Sequence, residues 1–433
     1  MVPHAVGMIP TETLTLSAEE QSMLSGEAGP AAALAMRILS RLAPVYGARQ
    51  LLSVTRAHVD GCIYAGEAGL DYAERLAALG ARVSVPTSLN AVSLDRRDWK
   101  RLGIPSSYAA RARRVADAYL TMGAKPTFTC APYQTDAAPS FGEQIAWSES
   151  NAVAFANSVI GARTNRYGDY LDIACAITGR VPAAGLHLDE PRLGTLLLDL
   201  QPLPPRLVER DDFWPVLGYL MGSLAGDEVP VVRGLEAAPS DDQLKTLAAA
   251  AATSGSVAIF HLVGITPEAP TEADAFGGRQ PRVVRTIDID DLRHARAELR
   301  TSPDDAIDLV AFGSPHCSLA ECRSIARLTV GKRAAPSVRV FVTTSRAVRQ
   351  LLARTGDLET LEAFGASVVA DTCIVVSPPL VPSGAKVLMT NSAKYAHYGP
   401  GILGVEAIFG STESCIESAV NGRLVEEDGP WRP

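Results

Sequence analysis

The sequence predicts an α/β protein built from several α/β/α domains with mostly parallel sheets. Strand-like and helix-like runs alternate nearly throughout, which is the pattern of repeated β-then-α units. The chain is 433 residues long, too long for one simple core, so two or three domains are expected.

The elements follow in order. Ser17-Ala-Glu-Glu20 is a capping-box pattern that starts a helix, and Pro30 to Leu42 is rich in strong helix formers. Leu51 to Thr55 reads as a strand, Leu70 to Leu79 as a helix stopped by Gly80, Arg82 to Pro86 as a strand and Tyr108 to Met122 as a helix. Later come helix Asp241 to Ala252, strand Ser256 to Val263, helix Asp290 to Arg300 and strand Ile307 to Phe312. Helix Ser318 to Leu328, strand Val338 to Val342, helix Ser345 to Arg354 and strand Ser367 to Ala370 complete the alternation. Breaks at Leu203-Pro-Pro-Arg206 and within the Pro/Gly-rich stretch Thr266 to Pro281 divide the chain. The expected regions are 1–205, carrying Cys130; 206–300; and 301–433, carrying Cys317 and Cys373.

Composition narrows the function. A net charge of −8, with no Lys/Arg run or aromatic-basic stripe, argues against a nucleic-acid partner. No apolar run is long enough to span a bilayer, and Met1 to Met8 lacks the basic-then-apolar order of a leader, so no membrane is expected. Seven cysteines in a long chain do not form a disulfide framework and fit a reducing cytoplasm.

Cys130, Cys317 and Cys373 each fall where a strand-like run breaks into a proline-marked loop. Parallel sheets bind ligands at the carboxyl ends of their strands, so the three thiols can converge. Three thiolates with an open fourth position suit iron that holds substrate. The alternative is that all three are small buried hydrophobes, and no C-x-x-C pair anchors a metal here.

Polar groups supply further candidates. In an extended Ala57-His-Val-Asp60, His58 and Asp60 share a face, which suits acid/base or ligand work; a capped loop histidine would look the same. Thr87, Ser88 and Asn90 follow a strand and can grip a polar substrate or cap a turn. Glu149, Ser150 and Asn151 crowd beside an apolar stretch, and Asn165 and Arg166 suggest carboxylate recognition, unless Arg166 is a surface arginine. Lys394, in Thr390-Asn-Ser-Ala-Lys-Tyr-Ala-His-Tyr398, can hold a carboxylate. Walker A, G-x-G-x-x-G and H-E-x-x-H patterns are absent.

Together these segments resemble the large subunit of aconitase X, the divergent branch of the aconitase superfamily. The likeness is carried by Ala57-His-Val-Asp60 with Tyr64-Ala-Gly66, Pro86-Thr-Ser-Leu-Asn90, Cys130-Ala-Pro-Tyr133, Ser148-Glu-Ser-Asn151 through Ser158 and Gly161-Ala-Arg-Thr-Asn165. Gly313-Ser-Pro-His316, Asp371-Thr-Cys373 and the Thr390–Tyr398 segment continue it in family order.

The resemblance implies α/β/α domains around iron held by three cysteines, either an iron–sulfur cluster of two or four irons or mononuclear iron. It implies a hydro-lyase acting on a small hydroxy acid, with iron as Lewis acid on the leaving hydroxyl. It also implies a swivelling domain that brings a catalytic serine. None is seen in this chain, so a small partner subunit is expected.

Family substrates are cis-3-hydroxy-L-proline, dehydrated to Δ1-pyrroline-2-carboxylate, and mevalonate 5-phosphate. The first is favoured here because no Lys/Arg cluster asks for a phosphate. A non-catalytic iron–sulfur protein is the alternative of another class. Many relatives carry cysteine where this chain has Ser314; either Cys317, the expected metal ligand, replaces it or the site differs from theirs. The expected catalytic residues are His58, Asp60, Glu149 and Lys394. The expected substrate contacts are Thr87, Ser88, Asn90, Ser150, Asn151, Asn165, Arg166 and His397.

Overall fold

Three parallel sheets, taken in chain order, carry the protein in this computed structural model, which describes residues 14–426 and 429–431. The leader reading of Met1 to Met8 lies outside those residues. The first sheet is small, with strand Ala57–Val59 between Thr87–Leu89 and Ala146–Trp147. The second has the order His261–Leu262, Pro230–Arg233, Leu196–Leu200, Val283–Ile287. The third has the order Ala366–Ala370, Arg339–Thr344, Leu309–Cys317, Val387–Thr390, Glu406–Phe409.

Local chemistry explains most boundaries. The capping boxes at Ser17 and Ser318 form as expected, each hydroxyl accepting from a backbone N–H three residues on. Gly80, at φ +75°, follows helix Glu67–Ala78 in a left-handed conformation that glycine adopts without strain.

Three strand readings change. Leu51–Ser53 forms a short antiparallel pair with Arg180–Pro182, apart from the parallel sheets. The stretch 82–86 is not a strand: Val83 and Ser84 donate to the carbonyls of Met122 and Ala176, and the strand begins after Pro86, at Thr87. Of Ser256 to Val263 only His261–Leu262 pairs, because Ser256 ends the preceding helix at φ +59°. Strand Leu196–Leu200 pairs on both sides within the second sheet, so pairing assigns it to the middle region and not, as a break near 205 would have it, to the first.

The largest apolar cluster ties these layers together. It joins Trp147 and Phe155 to Trp214 and Leu247 of the middle region and to Ala396 and Phe409 of the last. Helices Phe213–Ala225 and Asp241–Gly255 cross closely, because a Cβ on Gly218 would collide with the backbone of Leu247. That crossing places Asp242 and Lys245 behind the site described below. Gly218→Ala is expected to cost about 1–3 kcal/mol through overpacking. Urea unfolding checks this, and an unchanged midpoint would show that the two helices can separate freely.

Candidate functional site

The site begins with a break in strand Leu309–Cys317. Leu309–Phe312 pair with Arg339–Val342, and the ladder resumes only at Cys317, opposite Thr344. Residues 313–316 therefore bulge out of the sheet. Gly313 makes this possible: it has φ +102°, and a Cβ there would strike Thr343, whose hydroxyl donates to the Gly313 carbonyl at 2.7 Å.

The bulge throws His316 into a buried junction. Its Nε2–H donates to the Thr372 carbonyl at 3.1 Å, which leaves Nδ1 to accept from the Thr129 hydroxyl at 3.2 Å. Its backbone N–H donates to the Cys130 sulfur at 3.2 Å. One imidazole thus fastens the loop of Cys130 to the loop of Cys373. Burial lowers its pKa to about 4, so it stays neutral and keeps this pattern at ordinary pH.

Behind it, the fully buried Lys245 pairs with Asp242 at 2.9 Å and with Glu321, and donates to the His316 carbonyl at 3.4 Å. The Cys373 loop has its own brace. Asp371, at φ +69°, is held with Asp95 by the Arg346 guanidinium.

Cys130 and Cys373 lie within electrostatic reach of each other at this junction, and Cys373 adds to the cost of ionising Cys130. Burial raises both thiols' pKa values. The Val375 and Val376 N–H groups, the Tyr395 hydroxyl and Lys394 favour the Cys373 thiolate against that trend.

Cys317 is not with them. It returns to the ladder, and its thiol packs with Phe312, Cys322 and Ile325 in a separate apolar cluster. The expected replacement of position 314 by Cys317 therefore fails on geometry, because the bulge that delivers His316 turns the next residue back into the core. Among the described residues no group of three or more His, Cys, Asp and Glu side chains is arranged to hold a metal. Of the three thiols expected to hold iron, the structure brings Cys130 and Cys373 together and leaves Cys317 apart. All seven cysteines are buried and free.

Glu149 and Lys394 sit beside the two thiols. Glu149 caps helix Ser150–Phe155 by accepting from Ala152 N at 2.8 Å, and it accepts from Lys394 Nζ at 2.8 Å. Burial pushes the Glu149 carboxyl up, but Lys394, Ala152 N–H and Asn151 outweigh it and hold the carboxyl below its usual range. Burial pulls the Lys394 ammonium down, and Glu149 more than restores it. The pair is ionised and salt-bridged.

Asn151 donates to Glu149 and to the Cys130 carbonyl at 3.0 Å, and accepts from Tyr133 at 2.7 Å. Ser150 lies 3.4 Å from Lys394. The helices carrying Ser150 and Lys394 both run on into π-helical turns, Ala156–Ile160 and Gly399–Leu403, a distortion common at functional sites.

His58 completes the group. Ser88 donates its only hydroxyl proton to the Ala57 carbonyl at 3.3 Å, so it accepts from His58 Nδ1–H at 2.8 Å. Nε2 is then an unprotonated lone pair, fully buried and without a partner among the described residues. Burial lowers the pKa to about 4, opposed by Glu149. The carboxylate expected to orient His58 does something else: Asp60 bonds Asn90, and Ser88 orients the histidine.

Four predicted contacts lie elsewhere. Thr87 turns its hydroxyl back to the Val85 carbonyl at 2.8 Å. Asn165 is spent on Ala184 O and Leu186 N, at 3.0 and 2.7 Å. Arg166 donates to the Ala252 carbonyl at 3.3 Å, near a helix end. His397 is exposed beside Tyr219. The sequence places His316 in the motif Gly313-Ser-Pro-His316 but gives no sign that its ring joins two cysteine loops.

Family comparison agrees with this architecture. The chain matches the aconitase X first domain over residues 13–190, the second over 194–297 and the third over 307–421. It belongs to the aconitase X family. It is 50% identical to cis-3-hydroxy-L-proline dehydratase of Pseudomonas aeruginosa over 410 residues, covering 94% of this chain and 70% of that one. It is 40% identical over 401 residues to the phosphomevalonate dehydratase large subunit of Methanothermobacter thermautotrophicus, covering 91% and 96%. The crystal structure of Thermococcus kodakaraensis aconitase X in its holo-form superposes with a TM-score of 0.84 at 35% identity, covering 94% of this chain and 100% of that one.

The neutral state of His58 carries a pH signature. Its folded pKa of about 4 lies below the usual 6.5, so the stability it contributes is present above pH 6.5 and is lost as pH falls toward 4. The stability of the native protein relative to His58→Gln is expected to fall by about 3 kcal/mol across that window. Chemical unfolding at several pH values measures this, and a constant difference would mean that His58 titrates normally.

Proposed function

We propose that this chain is the large subunit of a hydro-lyase that dehydrates cis-3-hydroxy-L-proline to Δ1-pyrroline-2-carboxylate. The observation that carries the reading is the convergence of Cys130, Cys373, the Glu149–Lys394 pair and the lone pair of His58 at one buried junction. The relatives named for this reaction support it. A small partner subunit is part of the proposal, supported by relatives named as large subunits; it would bring the serine.

The reaction removes the proton from C2 and hydroxide from C3, and the resulting enamine tautomerises to the cyclic imine. His58 Nε2 holds an available lone pair at neutral pH and serves as the base for the C2 proton. The Lys394 ammonium, oriented by Glu149, receives the substrate carboxylate, and Ser150 and Asn151 hold this pair in place. Glu149 relays the abstracted proton outward. Cys130 and Cys373 would hold iron, which when bound supplies a Lewis acid for a poor leaving group. His316 acts through the two cysteines as a positioning residue.

The reading is tested with the chain co-expressed with its small subunit and purified without oxygen. Turnover of cis-3-hydroxy-L-proline is expected, and Lys394→Ala is expected to lower kcat/KM by about 10²–10⁴-fold without loss of bound iron. Turnover of mevalonate 5-phosphate with none of hydroxyproline would overturn the substrate. Bound iron with neither activity would favour a non-catalytic iron protein.

A further inference from the structure

All three regions meet on one buried lysine. Lys245 lies in helix Asp241–Gly255 of the middle region and is closed off from solvent. An ammonium has three N–H bonds, and three acceptors meet this one: Asp242 Oδ1 at 2.9 Å, Glu321 Oε2, and the His316 carbonyl at 3.4 Å. Glu321 and His316 belong to the last region, so the lysine spans that boundary.

The two carboxylates carry the contact further. Glu321 Oε2 also accepts from Ser318 N at 2.7 Å, and Asp242 Oδ2 accepts from the Ser318 hydroxyl at 2.7 Å. Asp242 Oδ1 accepts again, from the Gln134 amide at 2.9 Å. Gln134 ends the turn Pro132–Gln134, just after Cys130 in the first region. Its neighbour Tyr133 donates to Asn151, which itself donates to the Cys130 carbonyl at 3.0 Å. The path closes on itself, because the His316 N–H donates to the Cys130 sulfur. A ring of contacts thus runs from the Cys130 loop through Gln134, Asp242 and Lys245 to His316 and back to Cys130.

Stability alone does not call for such a ring. Well-packed apolar side chains of the same volume often match or better a buried ion triad. Apolar packing has no direction, however, so it does not fix where a carbonyl points. We propose that Lys245 is a positioning residue for the dehydration: with Asp242, Glu321 and Gln134 it sets the Cys130 loop against the His316 bulge and so fixes where the thiols stand. The inference rests on the dehydratase reading for the use of the thiols and adds the group that places them. The Cys373 loop is joined to the ring through His316, by the bond to the Thr372 carbonyl, and has its separate brace at Arg346.

The test reads the thiols directly. The full chain, freed of iron, is treated with iodoacetamide, and alkylation of each cysteine is followed by peptide mass spectrometry. Gln134→Leu, at an exposed position, cuts the ring at its outer link. It is expected to speed alkylation of Cys130 by about 5- to 10-fold, the worth of one hydrogen bond, and to leave Cys373 and the core thiol Cys175 unchanged. The triple variant Asp242→Asn, Lys245→Met, Glu321→Gln removes the charges at nearly constant volume. It is expected to speed both Cys130 and Cys373, and to release iron to a chelator about 10- to 100-fold faster. In the two-subunit, iron-loaded enzyme its kcat for cis-3-hydroxy-L-proline should fall while KM is retained, because Lys394, outside the ring, receives the carboxylate.

An unchanged Cys130 rate in Gln134→Leu would overturn the proposal. So would equal gains at Cys130 and Cys175, the mark of a fold that is merely loosened, or unaltered thiol and iron-release rates in the triple variant. Should the triple variant not fold, the Gln134→Leu result decides alone. The dehydratase reading fails separately, by absence of turnover in the native enzyme, and the alkylation rates still decide whether the ring places the thiols.

Discussion

The site depends on one buried, neutral imidazole. His316 is the group that holds the Cys130 loop and the Cys373 loop in register, through Thr129, Thr372 and its own N–H on the Cys130 sulfur. A protonated ring would carry a hydrogen on each nitrogen, and the Thr129 hydroxyl would lose its acceptor. Burial prevents this at ordinary pH. Groups from all three regions serve that ring. Gly313 permits the bulge, Lys245 anchors its carbonyl, and the Asp95–Arg346–Asp371 bridge sets the loop it must reach.

A second constraint is electrostatic. Two buried thiols, an ionised Glu149 and three neighbouring aspartates crowd a junction in which Lys394 is the cation at hand. Such crowding of like charge is costly and is eased by cations.

Much of this was legible in the sequence. Alternation of elements indicated parallel sheets, and capping boxes at Ser17 and Ser318 marked helix starts. Cys130 and Cys373, read in the sequence as loop-end thiols able to converge, do come together, and Glu149 and Lys394 join them. What was hidden is long-range pairing. Asn165 and Arg166 look free in one dimension, but meet carbonyls from residues 184 and 252. Asp60 and His58 share a face by period two, yet each finds a partner on the neighbouring strand end, Asn90 and Ser88. Cys317 misled because a bulge is invisible to spacing: the ladder skips residues 313–316 and then resumes. A strand-end histidine directly before that cysteine was the available hint that one of the two had to face away.

The central claim is that two cysteines of this chain, Cys130 and Cys373, face the site while Cys317 belongs to the core. Iron content and visible absorption of the anaerobically purified enzyme, compared among Cys130→Ala, Cys373→Ala and Cys317→Ala, test it most directly. Loss of iron in the first two, with iron retained in Cys317→Ala, is the predicted result. Loss of iron in Cys317→Ala, with the protein still folded, would contradict it.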